Sequence, residues 1–436
     1  MTFFPIPPSV RDLLLRLIPV LLAVGIVVSL QKALIMAPLV SAAAVILLAV
    51  QGRGLFPVPC GRVLLALLVG GLAWAGVTAG WSIDARFSLS AWPMLAGAFL
   101  AGLVLTAGLL RLSDAHWRRM VIWLGGAMVL TAAIIAVTAL THRIGMHVLS
   151  PEKAGPFDAW LGPRLQSLNR AIIVLSILLW PMLSALTRQG HRRLALALLV
   201  LMIPAAFGSF DLAAKLTLLA GALTWAGAKA VRRPVIVLLA AVVVAVVGGA
   251  PAATRLIPPP QVSIEWPGLP SSAHHRLTIW SFVGEKIAEK PVLGWGYEAA
   301  RSIPGGKDKV LVARTRGCDA KGDRMVQVPG ARIPVFDACL LEEERLPLHP
   351  HDAWLQVWLE TGMIGALLTI AALLAVLGTL WQKRWDQDAP MALATYVVGF
   401  IIASVAFGAW QSWWLCSLWL AIALTARVRA DRPVQE

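Results

Sequence analysis

Apolar runs of about twenty residues recur from one end of this chain to the other, and no other feature limits its fold so strongly. Each run is long enough to cross about 30 Å of hydrocarbon as a helix. Within lipid a spanning segment must satisfy its own backbone N–H and C=O groups, and a helix does so. The runs fall at 13–30, 33–50, 63–80, 89–110, 120–140, 171–187, 194–208, 212–230, 234–252, 362–381, 390–408 and 413–426. Composition agrees: 14% of residues are charged, against roughly 25% in a soluble domain. The expected fold class is all-α, a polytopic membrane protein of about twelve transmembrane helices with one long outer loop. The run from Leu13 to Leu30 has no small-residue cleavage signature after it and reads as a retained helix, not a signal peptide.

A net charge of +15 would suggest nucleic acid in a soluble chain. Here it follows from topology. With the N-terminus inside, basic clusters such as Arg118-Arg119, Arg192-Arg193, Arg232-Arg233 and Lys383-Arg384 fall on the cytoplasmic side, where short loops of membrane proteins concentrate Lys and Arg. Nucleic acid is therefore not an expected partner. The chain divides into 1–252 with helices one to nine, 253–361 as an outer loop with amphipathic helices, and 362–436 with helices ten to twelve, both termini being cytoplasmic.

Function is expected in that loop, the one polar segment large enough to fold outside the bilayer. Ser271 and Ser272 offer an N-cap to a helix running to about Lys290 and stopped by Pro291. On it Arg276 and Trp280 share a face, beside an apolar stripe of Ile279, Val283 and Ile287. Arg276 has no acid three or four residues away, which argues against a simple surface ion pair, and Trp280 is placed to pack on its guanidinium. Leu293-Gly294-Trp295-Gly296 permits a tight turn but is no specific sign of phosphate binding.

The stretch from His349 to Gly362 carries most of the chemistry. A helix starting near Asp352 puts Asp352, Gln356 and Glu360 on one face and His351 at its N-terminal edge, where free N–H groups favour anions. A histidine that merely caps an interfacial helix is the plainer alternative. His274, His275, His349 and His351 form a four-imidazole set, but their spacing matches no recognised metal site. No metal or cofactor is expected.

His351, Asp352, Leu355, Glu360, Gly362 and Gly365 resemble the signature of the O-antigen ligase and polymerase superfamily. The Arg276–Trp280 helix with Pro291 and Leu293-Gly294-Trp295-Gly296 is similar to the segment that precedes it. Ser209-Phe210-Asp211-Leu212-Ala213-Ala214-Lys215 resembles a place where members carry a Ser-Arg pair, and Leu168-Asn169-Arg170 resembles another recurring element. Asp352 stands where Asn is usual, and Lys215 where Arg is usual. The first puts a carboxylate beside His351, expected to raise its pKa; the second trades a bidentate fork for a point charge.

The resemblance implies a GT-C-like membrane enzyme of the bacterial inner membrane with its site facing the periplasm. It implies transfer of a glycan from an undecaprenyl pyrophosphate carrier to an acceptor hydroxyl, by a metal-independent inverting mechanism. In that reading His351 is the general base, with Arg276 also catalytic. Arg276, Lys215 and Arg170 bind the donor pyrophosphate, while His349, Asp352, Gln356, Glu360 and Trp280 support the site. A ligase, with lipid A-core as acceptor, is preferred over an O-antigen or exopolysaccharide polymerase. A transporter of lipid-linked substrates is the alternative from another class, and would call for internal repeats or broken helices with buried charges.

Cys318 and Cys339 share the oxidising side, flanking two short predicted strands, Met325 to Val328 and Ile333 to Phe336. Mass spectrometry without reduction should find their peptides linked, and two freely alkylated thiols would refute the bridge.

Overall fold

A computed structural model of the chain describes residues 6–52, 61–148, 151–209, 211–257, 269, 271–314, 339–382 and 388–430. Its helices are α1 (Pro8–Lys32), α2 (Met36–Gln51), α3 (Arg62–Ala79), α4 (Ala85–Leu110), α5 (Asp114–Val148), α6 (Pro151–Arg188), α7 (Arg192–Gly208) and α8 (Leu212–Ala230). After α9 (Arg232–Val243) a π-helical turn, Val244–Gly248, leads into α10 (Gly249–Thr254). The chain continues through α11 (Ser271–Glu289), α12 (Ala353–Gln382), α13 (Ala389–Val405) and α14 (Ser412–Ala430).

Every predicted run lies on helix, with boundary shifts. Among the described residues, 7 helical stretches are long and apolar enough to cross a membrane, the first of them, Pro8–Gln51, containing both α1 and α2. α8 carries Lys215 and Lys229, and α14 carries Arg427 and Arg429, which holds their hydropathy below that of the others. α6 is central: its 168–188 portion is the most enclosed stretch, packed by α1, α5, α7, α8, α13 and α14. Small residues let large rings in. A Cβ on Gly102 would fall 2.1 Å from the Trp419 ring, and one on Gly221 would fall 2.4 Å from that of Trp180. Without a hydrophobic drive between helices in lipid, such close fits supply much of the attraction.

The segment between α10 and α12 contains α11 and a two-stranded antiparallel sheet, β1 (Lys309–Arg314) against β2 (Cys339–Glu344), which the all-α expectation does not include. The predicted strands at Met325 to Val328 and Ile333 to Phe336, and Cys318, lie outside the described residues.

The joint between loop and membrane helices is a break in α12. At Gly362 the backbone turns to φ 65° and ψ −165°, releasing the Leu359 and Glu360 carbonyls and the Met363 N–H from the helical ladder. All three are taken by the segment after α11. Trp295 N–H donates to Leu359 O at 2.8 Å, Gly296 N–H to Glu360 O at 2.9 Å, and Met363 N–H to Pro291 O at 2.9 Å. Trp74 Nε1 donates to Thr361 O at 2.9 Å. The backbones approach so closely that glycine is required on both sides: a Cβ on Gly294 (φ 70°) would lie 2.6 Å from the Glu360 carbonyl carbon, and one on Gly362 would lie 2.2 Å from Val292 O.

Gly294→Ala should therefore lower the melting temperature of the detergent-solubilised protein, the left-handed φ alone costing about 1–3 kcal/mol. Gly378→Ala, where an added Cβ would meet no atom within 4 Å beyond its own helical turn, should be neutral or stabilising, because alanine is the better helix former. The reverse ranking in a thermal melt would contradict this account of the joint.

Candidate active site

His351 takes up a left-handed backbone conformation, φ 58°, uncommon for a residue with a Cβ. Its ring Nδ1 lies 3.1 Å from the Ala406 carbonyl oxygen. A carbonyl only accepts, so Nδ1 carries the proton and Nε2 keeps a free lone pair. The His351 N–H donates to His349 Nδ1 at 3.2 Å, and the two rings sit 4.3 Å apart. From α11, Trp280 Nε1 donates to Pro350 O at 2.8 Å, fixing the loop between the two histidines.

Burial pushes the His351 pKa below its ordinary value; the bond to Ala406 opposes this, and the charges of Arg276 and His275 add to it. His349 is lowered to about 3, by burial first and then by His351, Arg301 and Arg276. Both imidazoles are thus neutral near pH 7, the protonation state a general base requires.

Asp352 corrects one expectation. Its Oδ1 accepts the N–H groups of Trp354 at 2.8 Å and Leu355 at 3.0 Å, making it the N-cap of α12 rather than a partner that raises the His351 pKa. Burial is the main influence on it, lifting the Asp352 pKa to about 7 against those two bonds.

Gln356 and Glu360 lie one and two turns along. Gln356 Oε1 accepts the Ala409 N–H at 2.8 Å, and Gln356 Nε2 donates to Glu360 Oε1 at 3.0 Å. Glu360 also accepts the backbone N–H groups of Glu298 at 2.8 Å and Ala300 at 3.2 Å, and Trp410 Nε1 at 2.5 Å. Neither side chain reaches solvent to any extent, at 3% and 0% exposure.

Arg276 is partly buried, and among the described residues its guanidinium has no hydrogen bond, ion pair or ring contact. The charged group nearest in effect is Asp211, which opposes the lowering of the Arg276 pKa by burial. The predicted stacking of Trp280 on Arg276 is not formed, because that indole is held against Pro350. Asp211 caps α8 through Oδ1, which accepts Ala213 N–H at 2.8 Å. Its pKa is raised by burial, opposed by backbone N–H groups and by the charges of Arg276 and Lys215. Lys215 thus belongs to the same neighbourhood, without an ion pair to Asp211. Arg170 is exposed, and no interaction among the described residues joins it to this group.

His275 is occupied elsewhere, its Nε2 lying 2.9 Å from Glu344 O. Among the described residues no three His, Cys, Asp or Glu side chains converge as metal ligands would.

Two parts of the site escape the sequence reading. Ala406 to Gln411, between α13 and α14, supplies the carbonyl for His351, the N–H for Gln356 and the indole for Glu360. It was expected to be the end of a span at 390–408; the helix stops at Val405 because these groups face α12 instead. Arg301, paired through Nε with Glu298 Oε2 at 2.9 Å, is the second cation whose charge reaches His349. A polar Gln411 beside Trp410 in a short gap was the one available sign.

The chain is similar to three Rickettsia proteins, each named "Putative polysaccharide ligase". The R. conorii protein is 27% identical over 268 residues, 61% of this chain and 59% of that protein. The R. felis protein is 27% identical and the R. prowazekii protein 24% identical, over the same 61% of this chain and 60% of each relative. The match thus spans about 60% of the length of these relatives. No family model and no solved structure matches the chain.

The Asp352 environment gives a stability test. A carboxyl whose pKa rises from 3.8 unfolded to about 7 folded binds more protons in the native state across that window, so its contribution to stability falls as pH rises through it. Asn also serves as an N-cap. Asp352→Asn should therefore raise the melting temperature at pH 8, by the equivalent of about 1 kcal/mol or more, and make little difference at pH 4. A lower melting temperature at pH 8 would contradict the burial argument.

Proposed function

We propose that this chain is an O-antigen ligase, a metal-independent inverting glycosyltransferase of the bacterial inner membrane. It moves a glycan from undecaprenyl pyrophosphate to a hydroxyl of lipid A-core at the periplasmic face. The observation that carries the reading is the free Nε2 of a neutral His351 beside the unpartnered guanidinium of Arg276. The similarity to proteins named as polysaccharide ligases supports a glycan substrate, and the long apolar helices support a membrane setting. Twelve spans with both termini cytoplasmic complete the proposal.

In this mechanism the acceptor oxygen attacks C1 of the sugar while its proton passes to His351 Nε2. The new C1–O bond forms opposite the departing group, and the C1–O bond to pyrophosphate breaks with its electron pair on the phosphate oxygen. One displacement inverts C1. Arg276 and Lys215 neutralise charge as it develops on the leaving group, which favours the transition state over the bound donor. Arg170, exposed on α6, is the third pyrophosphate ligand of this proposal.

His351→Ala should lower turnover by roughly 100-fold or more while membrane insertion stays normal. Wild-type turnover by that variant in a purified assay, with undecaprenyl pyrophosphate-linked glycan and lipid A-core, would sink the reading. Arg276→Lys should keep partial activity and Arg276→Ala much less, with the loss visible in kcat at saturating donor. Because only unprotonated His351 accepts a proton and its pKa is lowered, kcat should fall on the acid side, with its limb below about 6.5.

A further inference from the structure

The Gln411 side chain faces His349 from the opposite side to His351. His349 Nδ1 receives the His351 N–H at 3.2 Å, so in the neutral ring the proton sits on Nε2. That nitrogen lies 2.9 Å from the Gln411 amide nitrogen, and a half-turn of the amide presents its oxygen to the N–H. The order Gln411, His349, His351 N–H is then a chain of three groups, each fixing the next. Beside the ring stands Gly408, where a Cβ would fall 2.9 Å from His349 Cγ, so the side chain is seated closely against the same loop that offers Ala406 O to His351.

His351 needs such a holder. Its left-handed φ costs free energy and persists only where surrounding contacts impose it. The bond from its N–H to His349 imposes the backbone turn, and the turn aims Nδ1 at Ala406 O and leaves Nε2 free. We propose that Gln411 is a positioning residue: by keeping the His349 proton on Nε2 it leaves Nδ1 to accept the His351 N–H and so aims the base. This rests on His351 being the base.

The groups facing His349 are His351 on its own loop, Arg276 from α11, Arg301 before the sheet, and Gln411. The first three all disfavour a charged His349. A carboxylate at 411 would do the opposite. It still accepts the Nε2–H, yet it stabilises the imidazolium, and an imidazolium carries a proton on Nδ1 too. Nδ1–H would then meet the His351 N–H donor to donor, and the holder would fail.

Two variants of the full-length protein test this, assayed with undecaprenyl pyrophosphate-linked glycan and lipid A-core. Gln411→Leu removes the acceptor and should lower kcat about tenfold, the size of one lost hydrogen bond, with donor KM unchanged. Gln411→Glu should restore most of kcat at pH 8 and lose it on acidification along a steeper limb than wild type, since protonation of either histidine now disables the site. Wild-type kcat and pH profile in both variants, or a loss confined to KM, would overturn the proposal. If Gln411→Leu does not fold, the pH profile of Gln411→Glu decides alone. Full activity of His351→Ala would instead remove the base assignment, a failure separate from these.

Discussion

Glu360 is a carboxyl group with 0% exposure, and the site depends on how it is satisfied. A buried carboxyl without partners would cost several kcal/mol. Here four donors reach it: the Gln356 side chain one turn back, the Glu298 and Ala300 N–H groups, and the Trp410 indole. The donors come from three separate parts of the chain. Satisfying one carboxyl therefore gathers α12, the segment after α11 and the loop between α13 and α14. Each part then contributes to the surroundings of His351, either directly, as Ala406 does, or by charge, as Arg301 does on His349.

The break at Gly362 serves the same end by different means. A continuous helix would keep the Leu359 and Glu360 carbonyls for its own ladder and leave nothing for Trp295 and Gly296 to bond. Breaking it exchanges ladder bonds for bonds to the segment at 291–296, so the backbone stays satisfied while that segment is tied to the long apolar helices. The exchange needs close approach, hence Gly294 and Gly362 back to back. Among the described residues the positive-φ positions that are not glycine are Glu298 and His351. The N–H of each is held by a side chain of this network, Glu360 for the first and His349 for the second.

What was legible in the sequence follows the range of the forces involved. Apolar runs report helices because each helix satisfies its own backbone, and all the predicted runs lie on helix. The face shared by Asp352, Gln356 and Glu360 was legible for the same local reason. Roles that depend on distant segments were not. Asp352 was expected to act on His351 and instead caps its own helix; Trp280 was expected on Arg276 and is held by Pro350 O. The six residues from Ala406 to Gln411 looked like the tail of a span and a short connection, because apart from the polar Gln411 beside Trp410 nothing in their own composition announces that Gln356, Glu360, His349 and His351 all meet them. The two-stranded sheet was missed because the pairing of Lys309–Arg314 with Cys339–Glu344 joins strands far apart in sequence.

Burial acts on the cluster in two directions that suit an anionic leaving group. Removing water disfavours charge on the histidines, and neighbouring cations disfavour it further, so both imidazoles stay neutral. The two cations differ in their counter-charges: Arg301 is paired with Glu298, whereas Arg276 has Asp211 as its counter-charge at a distance and, among the described residues, no ion pair. Asp211 in turn directs its Oδ1 to the start of α8 rather than to the guanidinium. The result is a neutral imidazole near a guanidinium with unused donors, in surroundings where electrostatic interactions are stronger than in water. In the proposed reaction a pyrophosphate would supply the missing charge, and its presence would raise the basicity of His351 by offsetting the Arg276 charge that helps hold its pKa down. In the proposed reaction, donor binding would thereby prepare His351 for proton transfer.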